Sequence, residues 1–294
     1  MTIRTLLVPL AGSENMTPVM ELGLALGKDL GVHVDVLHIQ SDPKDTIPLL
    51  GEGMSVSMIE DMIQIAETEG GERASEGRQV FDKLVAELGI GVSDDPNSPG
   101  ASAAWSEDVG RNDEITARRG RLAVLIVVPR PTASSDVLAT LTLNAALFDS
   151  GRPVLVTPPG DQGGASKPFS VGGHVAISWN GSAEAARSVG SAMGLISKAD
   201  KVTVLTVDSD RTSAARAPEL ADYLEWHGVV PDTRTFSADS GPSIGEALLA
   251  ECGTLGVDLL VMGAYTHSRV RQLILGGVTR HVLEQATLPL FMAH

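Results

Sequence analysis

Apolar and polar positions along this chain fall into two repeating patterns. Short runs of Val, Leu and Ile without polar alternation recur, each followed by a longer stretch with apolar residues at helical spacing. In the C-terminal half, residues 174–178, 202–207, 233–237, 258–262 and 288–292 are predicted strands, and residues 183–196, 215–227, 244–255 and 278–285 predicted helices. Ala186, Val189, Met193 and Ile196 mark the apolar face of the first helix, with Ser182 as its N-cap. Ala185 stands where a capping-box Glu would sit, so that box is absent.

The N-terminal half repeats the order. Strands are predicted at 5–10, 32–39, 101–105, 122–128 and 153–157. Helices are predicted from the turn Ala11-Gly12-Ser13 to about residue 30, at 112–119 and at 137–148. Residues 54–88 predict a long, mostly helical region interrupted at Gly70-Gly71, longer than its counterpart in the second half. Met54, Met58 and Met62 within it predict a core stripe under a helix, and as an insertion the region is also a candidate interaction element.

Strands without polar alternation, interleaved with helices, predict parallel sheets covered on both faces. The expected fold is α/β, with two doubly wound, five-stranded parallel-sheet domains in tandem. Their expected bounds are 1–159 and 173–294, joined by a Gly-rich linker at 160–172. In such sheets a ligand sits at the carboxyl ends of the strands where strand order reverses. The ends of the first and fourth strands of the second half, at 178–182 and from Gly263 onward, are the expected place.

Composition narrows the function. The net charge is −15, of which −11 falls on residues 1–171, and aromatics make up 3%. An acidic surface repels phosphate backbones and few rings are present for stacking, so nucleic acid is not an expected partner. No apolar run approaches the roughly twenty residues of a membrane helix. The apolar run near the start is too short for a signal-peptide core. The single cysteine, Cys252, allows no intrachain disulfide and suits a reducing cytoplasm. In its helix it reads as a small buried hydrophobe. His33, His38, His174, His227 and His294 show no metal-ligand spacing, and GxSxG is absent.

The segment 261–279 carries the chemistry. A buried strand stops at Gly263 and leads into His267, Ser268, Arg269 and Arg271, then Gly276-Gly277, with a helix opening at Val278. Glycines permit close backbone approach, and the first turn of a helix offers free N–H groups to an anion. Arginine suits bidentate phosphate recognition. A bland reading stands beside this one: turn glycines and a solvated charged loop.

The whole chain resembles the tandem members of the universal stress protein family, of the adenine nucleotide α-hydrolase-like superfamily. The residues that carry the likeness are 175–189, 204–208 and the ending DLLVMGAY…GGVTRHVL…LPLFM. Nucleotide-binding members of that family carry the loop G-x2-G-x9-G-[ST]. Here the spacing is kept as Gly263, Thr266, Gly276 and Gly277, with Thr266 and Gly277 departing from the pattern. The family's acidic residue after the first strand falls at Asn180, which keeps an acceptor and loses the charge. In the first half that position is Ala11, and the fourth strand runs into Pro129, Arg130 and Pro131 without a glycine. Those prolines lack the N–H donors an anion needs, so the first domain is expected to hold no nucleotide.

The resemblance implies a cytoplasmic stress-response sensor or regulatory protein that binds an adenine nucleotide (ATP, ADP or AMP, with Mg2+) in the C-terminal domain only. Asn180 and Val207 would flank the adenosine. Gly263, Thr266, His267, Ser268, Arg269, Gly276, Gly277, Val278 and Thr279 would surround the phosphates. No motif positions a base to activate water, so at most weak ATP hydrolysis is expected. In the family the fifth strands pair across a dimer. Here 153–157 and 288–292 are edges that can pair within one chain as a pseudo-dimer, leaving a homodimer and an unknown protein partner open. Two alternatives remain. One is an interaction or scaffold protein without nucleotide; the other is a nucleotidyl or phosphoryl transferase with Asp208 as the carboxylate near Mg2+.

Overall fold

The computed structural model describes residues 3–10, 16–42, 55–131, 137–158, 173–208, 217–237, 243–264 and 277–294. The N-terminal half contains β1 (Thr5–Leu10), α1 (Met16–Leu30), β2 (His33–Gln40), α2 (Val56–Leu88), β3 (Gly91–Val92) and β4 (Ser102–Val109). It continues with α3 (Asn112–Gly120), β5 (Leu125–Pro129), α4 (Val137–Asn144), a π-turn (Ala145–Asp149) and β6 (Val154–Thr157). The C-terminal half contains β7 (His174–Ser178), α5 (Ala183–Ile196), β8 (Lys201–Asp208), α6 (Ala217–Glu225) and β9 (Asp232–Ser237). It ends with α7 (Ile244–Leu255), β10 (Leu259–Gly263), α8 (Val278–Gln285) and β11 (Leu290–Ala293).

The eleven strands among the described residues form one sheet, in the order β3-β4-β2-β1-β5-β6-β11-β10-β7-β8-β9. Every pairing is parallel except β6 with β11, where Leu155 lies opposite Phe291 and the halves meet antiparallel. The expected tandem α/β architecture of parallel strands alternating with helices is observed, with the strands of the two halves joined antiparallel into one continuous sheet rather than forming two separate five-stranded ones.

Strand side chains alternate between two core layers. Leu6, Val8, Val34, Val36, Val175, Ile177, Val204 and Val261 face the layer containing α1, α2, α5 and α6. Leu7, Leu37, Ile126, Val128, Leu205, Leu260 and Met262 face the layer of α3, α4, α7 and α8. Each layer crosses the junction, with Leu155 and Phe291 in the first and Val154, Val156, Leu290 and Met292 in the second. Burial on both faces is why these strands read as unbroken apolar runs.

Several expectations are corrected. α2 runs through Gly70-Gly71 without a break, from an N-cap at Ser55, whose Oγ accepts from Met58 N–H, to a left-handed C-cap at Gly89. A Cβ on Gly70 would lie 2.5 Å from Gln40 Nε2, the far end of a flexible side chain that can move aside. The methionine stripe is not core: Met58 is 53% and Met62 42% exposed, while Met54 lies outside the described residues. The buried face of α2 sits further along, at Phe81, Leu84 and Val85. In α5 the buried face carries Ala185 and Ser188, and Ala186 is exposed. β4 continues to Val109, β3 adds a two-residue edge, and the segment after Asn144 is a π-turn.

Candidate functional site

In the C-terminal half the strand order reverses between β7 and β10, which pair through Met262 and Ser178. The carboxyl ends of these strands therefore border the crevice expected in a doubly wound sheet. α8 connects the parallel strands β10 and β11, so it runs back along the sheet and opens at this same edge.

The β7–α5 connection is a built turn. Trp179 N–H donates to the Leu205 carbonyl at 2.9 Å, and the partly buried indole packs on the core. Asn180 Oδ1 accepts from Ser182 N–H at 3.0 Å, and Gly181 takes φ +72°, where glycine carries no Cβ penalty. Ser182 Oγ then accepts from Ala185 N–H at 3.1 Å and caps α5. Asn180 is exposed at the crevice, with its oxygen engaged in the turn.

Gly263 ends β10 against the first turn of α5. A Cβ there would lie 2.6 Å from Ala185 N and 2.8 Å from the Glu184 carbonyl carbon. The absent side chain thus admits a neighbouring helix. Sequence reasoning marked this glycine as a phosphate-loop residue and did not see the packing role. Gly277 is different: it is the N-cap of α8, at φ −82° and ψ 171°, and among the described residues nothing lies within 4 Å of where a Cβ would be. Val278 packs on the second core layer, and Thr279 is buried. Val207, in β8, is half-buried opposite Phe236 of β9. Thr266, His267, Ser268, Arg269, Arg271 and Gly276 lie outside the described residues.

Three residues whose contacts were not read from the sequence matter here: two hold this edge together, and the third secures the opposite end of α8, where β11 begins. Ser188, buried in α5, donates from Oγ to the Met262 carbonyl at 2.8 Å and accepts from Ala293 N–H at 2.8 Å. It ties α5 to the ends of β10 and β11. Its signal was a serine directly beside Val189 on the helix's apolar side. His294 donates from Nδ1 to the Ala264 carbonyl at 3.0 Å and meets the Phe148 ring edge-on at 4.9 Å. Arg130, following β5, is 8% exposed, and its guanidinium donates to the Ala286 carbonyl at the C-terminus of α8. Burial holds Arg130 below its ordinary pKa. No local pattern signalled the last two contacts.

In the N-terminal half, Pro129 stands opposite Thr157 as Gly263 stands opposite Ala293, so Pro129 and Arg130 occupy the places of Gly263 and Ala264. Pro129 is buried in β5, and its equivalent of Asn180, Ala11, lies outside the described residues. Burial pushes the Cys252 thiol up to about 12. Among the described residues no group of three or more His, Cys, Asp or Glu is arranged to hold a metal ion, and no helix is long and apolar enough to cross a membrane.

Comparison with known proteins agrees with this geometry. Residues 174–294 match the sequence profile of the universal stress protein family. No curated protein matches the sequence. Among solved structures, the chain resembles a universal stress protein from Archaeoglobus fulgidus DSM 4304, with a TM-score of 0.68 and 18% identity over 98% of this chain and 95% of that one. It also resembles a protein of unknown function from Pseudomonas aeruginosa PAO1, with a TM-score of 0.54 and 13% identity over 99% of this chain and 92% of that one. At these identities the structural likeness speaks for the fold alone. Residues 174–294 are a domain of the universal stress protein family, and the N-terminal half of the chain carries the same kind of fold.

Proposed function

We propose that this protein is a stress-response regulatory module that binds an adenine nucleotide in its C-terminal domain, residues 173–294, and not in its N-terminal domain, residues 1–159. The observation that carries the reading is the glycine spacing Gly263, Gly276, Gly277 at a strand-order reversal, ending on a helix whose N-cap is Gly277. A glycine N-cap puts no side chain of its own between a phosphate and the helix N–H groups. Asn180 and Val207 would flank the adenosine, and Thr266, His267, Ser268 and Arg269 would join Gly276, Gly277, Val278 and Thr279 around the phosphates. Mg2+ would accompany the phosphates as their counter-ion. The protein works in the cytoplasm as an intrachain pseudo-dimer joined by β6 and β11.

A second reading is favoured by one observation. Met58, Met62 and Ile65 form an exposed apolar stripe on α2, as an interaction protein without nucleotide would need. Thermal shift with millimolar ATP, ADP and AMP separates the two. A ligand selective for the folded state raises the Tm, and Gly276→Val should remove the rise while Gly12→Ala leaves it. No rise with any nucleotide in the wild type would leave the interaction reading alone standing.

A further inference from the structure

α2 changes character at Gly70. Beyond it, Phe81, Leu84 and Val85 pack on the core. Before it, none of the side chains from Ser57 to Glu69 is buried. Two apolar stripes nevertheless run along these turns at i, i+4, i+7 spacing: Met58, Met62 and Ile65, and beside them Ile59, Ile63 and Ala66. Met58 is 53%, Met62 42% and Ile65 58% exposed, and the second stripe is half-buried. Turns that bury nothing gain little from the fold, and a continuous apolar face on them marks an interaction surface.

Charge selects what covers it. Residues 55–72 carry Glu60, Asp61, Glu67, Glu69 and Glu72 and no Lys or Arg. Each residue turns about 100° around a helix axis, which sets Asp61 along the border of the Met58 stripe. The same turn sets Glu60 and Glu67 along the opposite border, beside Ile59 and Ile63, and all three carboxylates are exposed. A second copy of this chain would bring the same acidic residues against the face, and like charges across an interface oppose docking. Anionic lipid is repelled in the same way, and helices that lie on membranes carry Lys and Arg beside their apolar face. A partner helix with apolar anchors flanked by Lys or Arg satisfies both properties of the face. Its anchors would bury the methionines, whose unbranched side chains adapt to the shape they meet. We infer that residues 58–69 of α2 dock an amphipathic helix of a partner protein, apolar on one side and basic beside it. This deepens the interaction reading above and rests on it for the existence of a partner.

The test uses the full chain and a fluorescein-labelled peptide of about 18 residues, with Leu at i, i+3, i+4, i+7 spacing and Lys elsewhere. Anisotropy should show binding of this peptide and none of its Leu/Glu counterpart. Met58→Gln/Met62→Gln/Ile65→Gln keeps charge and helix propensity, and should weaken binding about tenfold or more. Glu60→Gln/Asp61→Asn should weaken it severalfold and flatten its salt dependence. Asp222→Asn/Glu225→Gln, an equal charge change on exposed positions of α6, should leave it unaltered. Should the triple variant lose helix by circular dichroism, Met62→Lys is expected to repel the peptide in the same sense. No binding of the Leu/Lys peptide would overturn the proposal, as would full binding by the triple variant. Equal weakening by the two acidic pairs would also overturn it, leaving only attraction to an acidic protein. A wild-type dimer in sedimentation, or binding to phosphatidylcholine vesicles, that the triple variant abolishes would assign the face to a second copy or to lipid instead. A Tm rise with ATP would remove the reading without nucleotide and leave this face standing, whereas loss of the face would leave the ATP result as measured.

Discussion

Gly263 lies so close to Ala185 that a Cβ on it would sit 2.6 Å from the Ala185 backbone nitrogen. Backbone cannot yield as a flexible side chain can, so Gly263→Ala must push α5 away from β10. The expected cost is about 1–3 kcal/mol in urea unfolding, with or without nucleotide. Gly277 is the contrast. Among the described residues nothing crowds its Cβ position and it caps α8 with no side chain, so Gly277→Ser should gain a few tenths of a kcal/mol. A neutral Gly263→Ala would mean that α5 does not pack as described.

Ser188 is a buried hydroxyl with both of its bonds spent on backbone, to Met262 and from Ala293. Ser188→Ala leaves a buried carbonyl and a buried N–H without this partner. Stability should fall by about 1–3 kcal/mol. Exchange of the Ala293 amide should rise with it; an unaltered amide there would show that the hydroxyl is not its partner.

His38 makes stability depend on pH. It is 4% exposed, neither ring nitrogen has a hydrogen-bond partner among the described residues, and its ring stacks on Trp105 at 5.9 Å. Burial lowers its pKa first, opposed by Glu107 and assisted by Arg73. The unfolded chain therefore takes up a proton near pH 6.5 while the folded chain does so only at lower pH. Below that point the unfolded state binds more protons, so stability falls with falling pH and is fully present above it. His38→Phe keeps a stacked ring and removes the titration. Its Tm should fall less than that of wild type between pH 7 and pH 5.5, and equal slopes would refute the assignment.

Cys252 is buried in α7 with its thiol raised to about 12. The thiolate is the reactive form, so native protein should resist iodoacetamide at pH 8 and react only when unfolded. Rapid labelling of native protein at Cys252 would contradict this.

Much of the architecture was legible. The runs at β1, β7 and β10 are apolar on both faces because helices cover both, and their unbroken hydrophobicity announced parallel strands. Helix limits such as Ala183–Ile196 and Ile244–Leu255 followed from local spacing, the first also from its cap Ser182. The methionines of α2 mark where periodicity stops being informative. Met58 and Met62 do share a helix face, but spacing cannot say whether anything covers it, and among the described residues both are exposed.

The candidate site divides the same way. Its location at the ends of β7 and β10 could be read from the order of elements. The role of Gly263 could not, since its neighbour in space is Ala185, on a different element. The contacts of Arg130 with Ala286 and of Phe148 with His294 are further still from local sequence. By itself, the sequence determined the strands, helices, turns and glycine spacing, because periodicity and cap chemistry act over a few residues. The tertiary structure decided which surfaces meet. The antiparallel register of β6 on β11 aligns residues more than a hundred positions apart, and no local preference records that alignment.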